Sequence, residues 1–117
     1  MINKKENLVS NVRECVQNGK GKGTFTTIVP IEDLRGHGRL FSRISLEVGS
    51  SIGMHDHTED FEVYCILSGN GVVNDNGKNI EVSEGDVIYT ADGRVHSIEN
   101  TGDKELEFIA VVLYDKK

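Results

Sequence analysis

The stretch Gly49-Ser-Ser-Ile-Gly-Met-His55-Asp-His57-Thr-Glu-Asp-Phe-Glu62-Val-Tyr-Cys-Ile-Leu-Ser-Gly69 decides how the rest of the chain is read. Two imidazoles sit one residue apart, and a carboxylate follows at Glu62. In an extended chain, residues i and i+2 point to the same face. His55 and His57 therefore project together, and Asp56 points away. Glu62 opens the run Val-Tyr-Cys-Ile-Leu, which reads as the next strand. By the same alternation Tyr64 and Ile66 share its face, while Val63, Cys65 and Leu67 take the other.

A second stretch has the same character: Gly85-Asp-Val-Ile-Tyr-Thr-Ala91-Asp-Gly93-Arg-Val-His96-Ser-Ile-Glu-Asn100. The chain has 4 histidines, and all but His37 fall in these two segments. His55, His57, Glu62 and His96 are thus the candidate ligands of a divalent metal, with strand ends converging on one ion. Imidazole suits zinc, iron and nickel, and an added carboxylate makes manganese and iron more comfortable. Four protein ligands leave one or two coordination positions open, as catalytic metals do.

Both stretches resemble the two signature motifs of the cupin superfamily. The first motif is G-x5-H-x-H-x3-4-E-x6-G, and Gly49, His55, His57, Glu62 and Gly69 fill every fixed position. The second is G-x5-P-x-G-x2-H-x3-N. Gly85, Gly93, His96 and Asn100 match it, and Ala91 stands at the proline position. That proline shapes a turn and binds no metal. The segment Asn70 to Glu84 between the motifs is short and resembles the small, single-domain microbial type. The resemblance implies an all-β, double-stranded β-helix (jelly-roll) barrel at residues 24–117, behind an N-terminal arm at 1–23. It also implies a metal (Mn, Fe, Zn or Ni) in the barrel mouth, held by His55, His57, Glu62 and His96.

Length and composition fit this reading. A chain of 117 residues is expected to form one domain. Thirteen glycines and one proline suit many tight turns. A net charge of −6 argues against nonspecific nucleic-acid binding, and Lys20-Gly-Lys22 is too short a basic cluster to reverse that. No apolar stretch approaches a membrane span of about 20 residues. The start MINKKENL lacks the apolar core of a signal peptide. Cys15 and Cys65 make no disulfide framework. The expectation is a cytoplasmic protein without membrane or nucleic-acid partners.

Element by element, the periodicity predicts mostly strands. Val9, Val12 and Val16 are spaced for a short helical turn, and residues 18–23 read as a loop. Thr24–Val29 is a strand stopped by Pro30, and Leu40–Val48 alternates as a half-buried strand. Phe61–Leu67 is the next. Asn76-Gly77 is a hairpin signal. Asp86–Thr90, His96–Glu99 and Leu106–Tyr114 complete the set. Cys65, on the outer face, reads as a small buried hydrophobe. His37 reads as a loop residue toward the end of its strand far from the metal.

The substrate pocket is expected to use Tyr64 and Ile66 beside Glu62, and Ile98 beside His96. Arg43 joins them if it faces inward, where it would bind a carboxylate; the pattern leaves both orientations open. Phe108-Ile-Ala-Val-Val-Leu-Tyr does not alternate, so both its faces are covered. With the resemblance, this predicts a homodimer. Two function classes follow. One is a metalloenzyme acting on a small polar molecule such as a carboxylate or sugar, through dioxygenase, decarboxylase, isomerase or lyase chemistry. The other is a non-catalytic small-ligand-binding or storage cupin.

Overall fold

In a computed structural model describing residues 1–116, the chain folds into ten strands. They are β1 (Ser10–Glu14), β2 (Lys22–Thr27), β3 (Gly38–Leu46), β4 (Ser51–Asp56), β5 (Asp60–Ser68), β6 (Asn70–Asp75), β7 (Lys78–Ser83), β8 (Val87–Thr90), β9 (Val95–Asn100) and β10 (Leu106–Tyr114). Helix is confined to single 3-10 turns at Lys5–Asn7, Val16–Asn18 and Ile31–Leu34. A six-stranded sheet has the order β1-β2-β3-β10-β5-β8 and a four-stranded sheet the order β4-β9-β6-β7. The strand pairs of both sheets are antiparallel. This is the all-β jelly roll that the motifs imply.

Strict alternation builds the core between the sheets. Ile44 and Leu46 of β3, Tyr64 and Ile66 of β5, Val73 of β6, Ile98 of β9, and Leu106, Phe108 and Ala110 of β10 all point inward and are buried. Truncating the buried ring of Phe108 to alanine should destabilise the protein by about 3–5 kcal/mol, read by denaturant unfolding. The β6–β7 hairpin turns at Asn76 (φ 51°) and Gly77 (φ 99°), two consecutive left-handed residues as a type I′ turn requires.

Four details differ from the sequence reading. Val9, Val12 and Val16 make no common helical turn. Residues 10–14 form the edge strand β1, exposed along its length, because a hydrogen-bonded ladder to β2 satisfies its backbone without an apolar face. β2 stops at Thr27, before Pro30, since Ile28 and Val29 both donate to the Phe41 carbonyl instead of continuing the ladder. Cys65 points outward as expected but is only half-buried.

His37 is an exposed loop residue, yet it lies at the same end as the candidate ligands. The chain enters β3 there: Leu40 pairs with Val112, and Val112 pairs with Glu62.

Only one face of the unbroken apolar run of β10 is fully covered. β10 is a central strand, flanked by β3 and β5. Its inner residues are buried, while Ile109, Val111 and Leu113 on the other face are half-buried.

Candidate metal centre

Three strands deliver the four candidate ligands. His55 lies near the end of β4, and His57 follows just past it. Glu62 lies on β5 and His96 on β9. The β4–β9 pairing slips between Ile52 and His55, and after that slip His55 stands directly opposite His96.

The ligand atoms of His55, His57, Glu62 and His96 all fall within 4.8 Å of one another. Glu62 Oε1 is 3.3 Å from His55 Nε2, 3.0 Å from His57 Nε2 and 2.9 Å from His96 Nε2. His96 Nε2 is 2.9 Å from His55 Nε2 and 3.3 Å from His57 Nε2. Atoms bound at about 2.1 Å to one ion sit about 3.0 Å apart at right angles and about 3.4 Å apart at the tetrahedral angle. The five short spacings fall in or close to that range.

The other ring nitrogens fix the tautomers. His55 Nδ1 lies 2.7 Å from the Gly53 carbonyl oxygen, which can only accept, so Nδ1 carries the proton. His57 Nδ1 donates to Asp60 Oδ1 at 2.6 Å. His96 Nδ1 pairs with Thr90 Oγ1 at 2.8 Å. For neutral His55 and His57 this leaves bare Nε2 lone pairs aimed at a carboxylate oxygen. Such a cluster of acceptors is stable only around a cation or a shared proton. The donor set therefore fits a divalent ion, which would supply positive charge and open coordination positions.

The electrostatics follow from burial and crowding. Burial alone would raise the Glu62 carboxyl, but the imidazoles of His55, His57 and His96 hold it far below the usual carboxylate range. Burial opposes charge on His57, yet Glu62 and Asp60 raise it above an ordinary imidazole. For His96, buried more deeply, desolvation wins and the value falls. Burial, reinforced by the Glu62 charge, pushes the Tyr64 phenol well up, so it stays a neutral donor. Its ring stacks on His96 with centroids 4.9 Å apart and planes 9° from parallel.

A cavity of about 500 Å³ opens in front of His55, His57, Glu62 and Tyr64. The other expected pocket residues are placed differently. Ile66 and Ile98 share the inner face but belong to the core, away from the cavity wall. Apolar side chains such as Phe25, Ile44, Ile52 and Val112 line it instead. Arg43 is exposed on the outer face, beside Thr24, Thr26 and Glu107, because β3 turns Ile44 inward. Asp60 and Thr90, which orient two imidazoles, escaped the sequence reading. Asp60 has no local signal that sets it apart from the chain's other acids, and Thr90 reaches His96 only because β8 pairs with β5. Asn100 is structural: its buried amide donates to the Leu46 and Lys104 carbonyls and accepts from the Gly102 N–H.

Gly53 was also missed. Its carbonyl orients His55, and its Cα packs flush on the turn at Val16–Asn18. A Cβ added there would collide with the Gln17 carbonyl oxygen. Gly53→Ala should therefore cost about 1–3 kcal/mol of stability and weaken metal binding roughly 10- to 100-fold through misoriented His55. Thermal melting and metal titration of the variant check both.

The comparisons place the chain in a family. The family model described as "Cupin domain" matches residues 42–112. An oxalate-binding protein of Thermotoga maritima is 45% identical over 105 residues, covering 90% of this chain and 84% of that protein. Among solved structures, a predicted oxalate decarboxylase from Thermotoga maritima superposes with a TM-score of 0.93 at 39% identity, covering 98% of this chain and 100% of the other. A cupin protein from Bacteroides fragilis superposes at 0.62 with 27% identity, covering 68% and 69%. The chain belongs to the cupin family, and it carries a His3Glu-type group capable of binding a metal.

Proposed function

We propose that His55, His57, Glu62 and His96 hold one divalent ion, and that the cavity before it binds a small carboxylate, with oxalate the first candidate. The convergence of four lone-pair donors on one point at the cavity's inner end carries this reading. The oxalate-binding relative, alike over nine-tenths of the chain, supports the ligand class. Carboxylate oxygens suit the open positions of a hard divalent ion. The apolar side walls would shield that contact from water, and the neutral Tyr64 phenol lies at the inner end.

Binding is favoured over turnover by what lines the cavity. Apart from the ligand group, its titratable residues are Tyr64, which stays protonated, and the exposed Arg13, Glu32 and Arg39. The one buried group beside the ligand set is the Tyr64 phenol, which is no base in its protonated form, and no further buried carboxyl or imidazole lines the cavity. Calorimetric titration of oxalate into metal-loaded and chelated protein tests the proposal, with a formate assay alongside. Binding by the loaded form alone, without formate release, is expected. Formate release would make the protein an enzyme, and no binding to the loaded form would overturn the carboxylate reading.

The outer face of the six-stranded sheet supports a homodimer. Ile109, Val111 and Leu113 lie half-buried there among Phe61 and Val63, while Leu67, Val87 and Tyr89 are exposed. A contiguous apolar face of this kind marks an association surface. Light scattering at micromolar concentration should give twice the 12.9 kDa chain mass; a constant monomer mass would refute it. No described helix is long and apolar enough to cross a membrane.

A further inference from the structure

The cavity is much larger than oxalate needs. Its volume of about 500 Å³ lies in the range of sites that enclose drug-sized ligands, whereas oxalate is only two carboxylates joined directly. The ligand group closes the inner end. Phe25, Ile44 and Val112 make apolar walls, and two exposed guanidinium groups, Arg13 of β1 and Arg39 of β3, stand at the rim.

Arg13 is held against that wall. Its guanidinium carbon lies 4.4 Å from the centre of the Phe25 ring, and Phe25 is itself buried. Stacking fixes a cation over the cavity's edge before any ligand arrives. Among the described residues, Arg13 has no carboxylate partner. Arg39 bonds Asp60 Oδ2 through Nε at 3.0 Å, which leaves its terminal amino groups available. Against these two cations the rim sets one exposed acid, Glu32.

We propose that Arg13 is a specificity-determining residue that receives the far carboxylate of an extended dicarboxylate whose near end lies at the ligand group. This rests on the carboxylate reading above and enlarges its ligand class. The apolar walls suit a methylene chain, and the planar guanidinium fork matches a carboxylate bidentately. Prior stacking lowers the rotamer entropy lost on binding. Arg39 adds charge at the rim, but through Asp60 it also orients His57, so it is a poor site for a clean test.

The test compares 2-oxoglutarate with 2-oxopentanoate on zinc-loaded protein by calorimetry. The two present the same chelating end and differ in the distal carboxylate. Longer 2-oxo diacids and their matching monoacids complete the series, with oxalate as the reference. At one chain length or more, the diacid should bind about fivefold tighter, the modest size expected of a rim contact. That advantage should shrink with added salt. It should vanish in Arg13→Ala and return in part in Arg13→Lys, while oxalate affinity stays unchanged in both variants. Diacids no tighter than monoacids at every length, an advantage that survives Arg13→Ala, or an equal loss of oxalate binding would each overturn the proposal. Failure of oxalate and every 2-oxo acid to bind wild-type protein would overturn the carboxylate reading itself.

Discussion

Stripping the divalent ion should lower the melting temperature by about 10 °C at pH 7.5, and the gap should close as the pH falls through about 6. A ligand that binds only the folded state at a hundredfold over its Kd stabilises by about 2.7 kcal/mol. For a domain of this size that corresponds to roughly 10 °C. The pH dependence has two sources. An imidazolium must give up its Nε2 proton to bind an ion, so protons compete from the ordinary imidazole range of about 6.5 downward. His57, raised by Glu62 and Asp60 against its burial, takes one more readily than an ordinary imidazole.

The metal-free chain has its own pH dependence. The raised His57 adds stability that is complete below about pH 6.5 and lost as pH rises through its folded value. The depressed Glu62 adds stability present above about pH 4.3 and lost in acid. The lowered His96 adds stability present above about pH 6.5 and lost as pH falls. In mild acid the loaded form loses its ion while the metal-free form gains its His57–Glu62 ion pair. Scanning calorimetry with and without chelator, from pH 5 to 8, would show the gap narrowing. Equal melting at pH 7.5 would contradict the prediction.

His96→Ala should weaken metal binding by roughly two to three orders of magnitude. An apparent binding free energy of about 10–16 kcal/mol shared among four ligands gives about 3 kcal/mol for each. His96 is fully buried and stacks on Tyr64, so its loss also leaves a void in the barrel. His55→Ala separates the two effects. Its side chain is 12% exposed at the cavity, so the variant should lose metal to a similar degree with little loss of fold. Metal titration and far-UV circular dichroism of both variants decide the matter; retained tight binding in either would contradict the assigned ligand set.

The candidate ligand residues and the barrel were legible because the two cupin-like motifs, Gly49–Gly69 and Gly85–Asn100, carry both. The parity of Glu62, Tyr64 and Ile66 on β5 and of His96 and Ile98 on β9 follows from strand alternation alone, and Asn76-Gly77 marks its own turn. Arg43 was undecidable because Arg-Ile-Ser-Leu alternates equally well with either face inward; packing of Ile44 and Leu46 between the sheets resolves it. His37 was misplaced because strand direction relative to the site depends on which strands pair. The orienting roles of Asp60, Thr90 and Gly53 arise from contacts between strands or with the N-terminal turn, for which the sequence has no local signal. The cavity wall was misjudged for the same reason: sharing a face with a ligand is not the same as sharing its depth in the barrel.

The most direct test of the account is anomalous diffraction from crystals of protein purified without added metal, paired with elemental analysis of the same sample. It predicts one divalent ion per chain, bonded at about 2.0–2.2 Å to Nε2 of His55, His57 and His96 and to a Glu62 carboxylate oxygen. Crystals grown with divalent metal supplied that still show no ion there, or an ion bound elsewhere in the barrel, would contradict it.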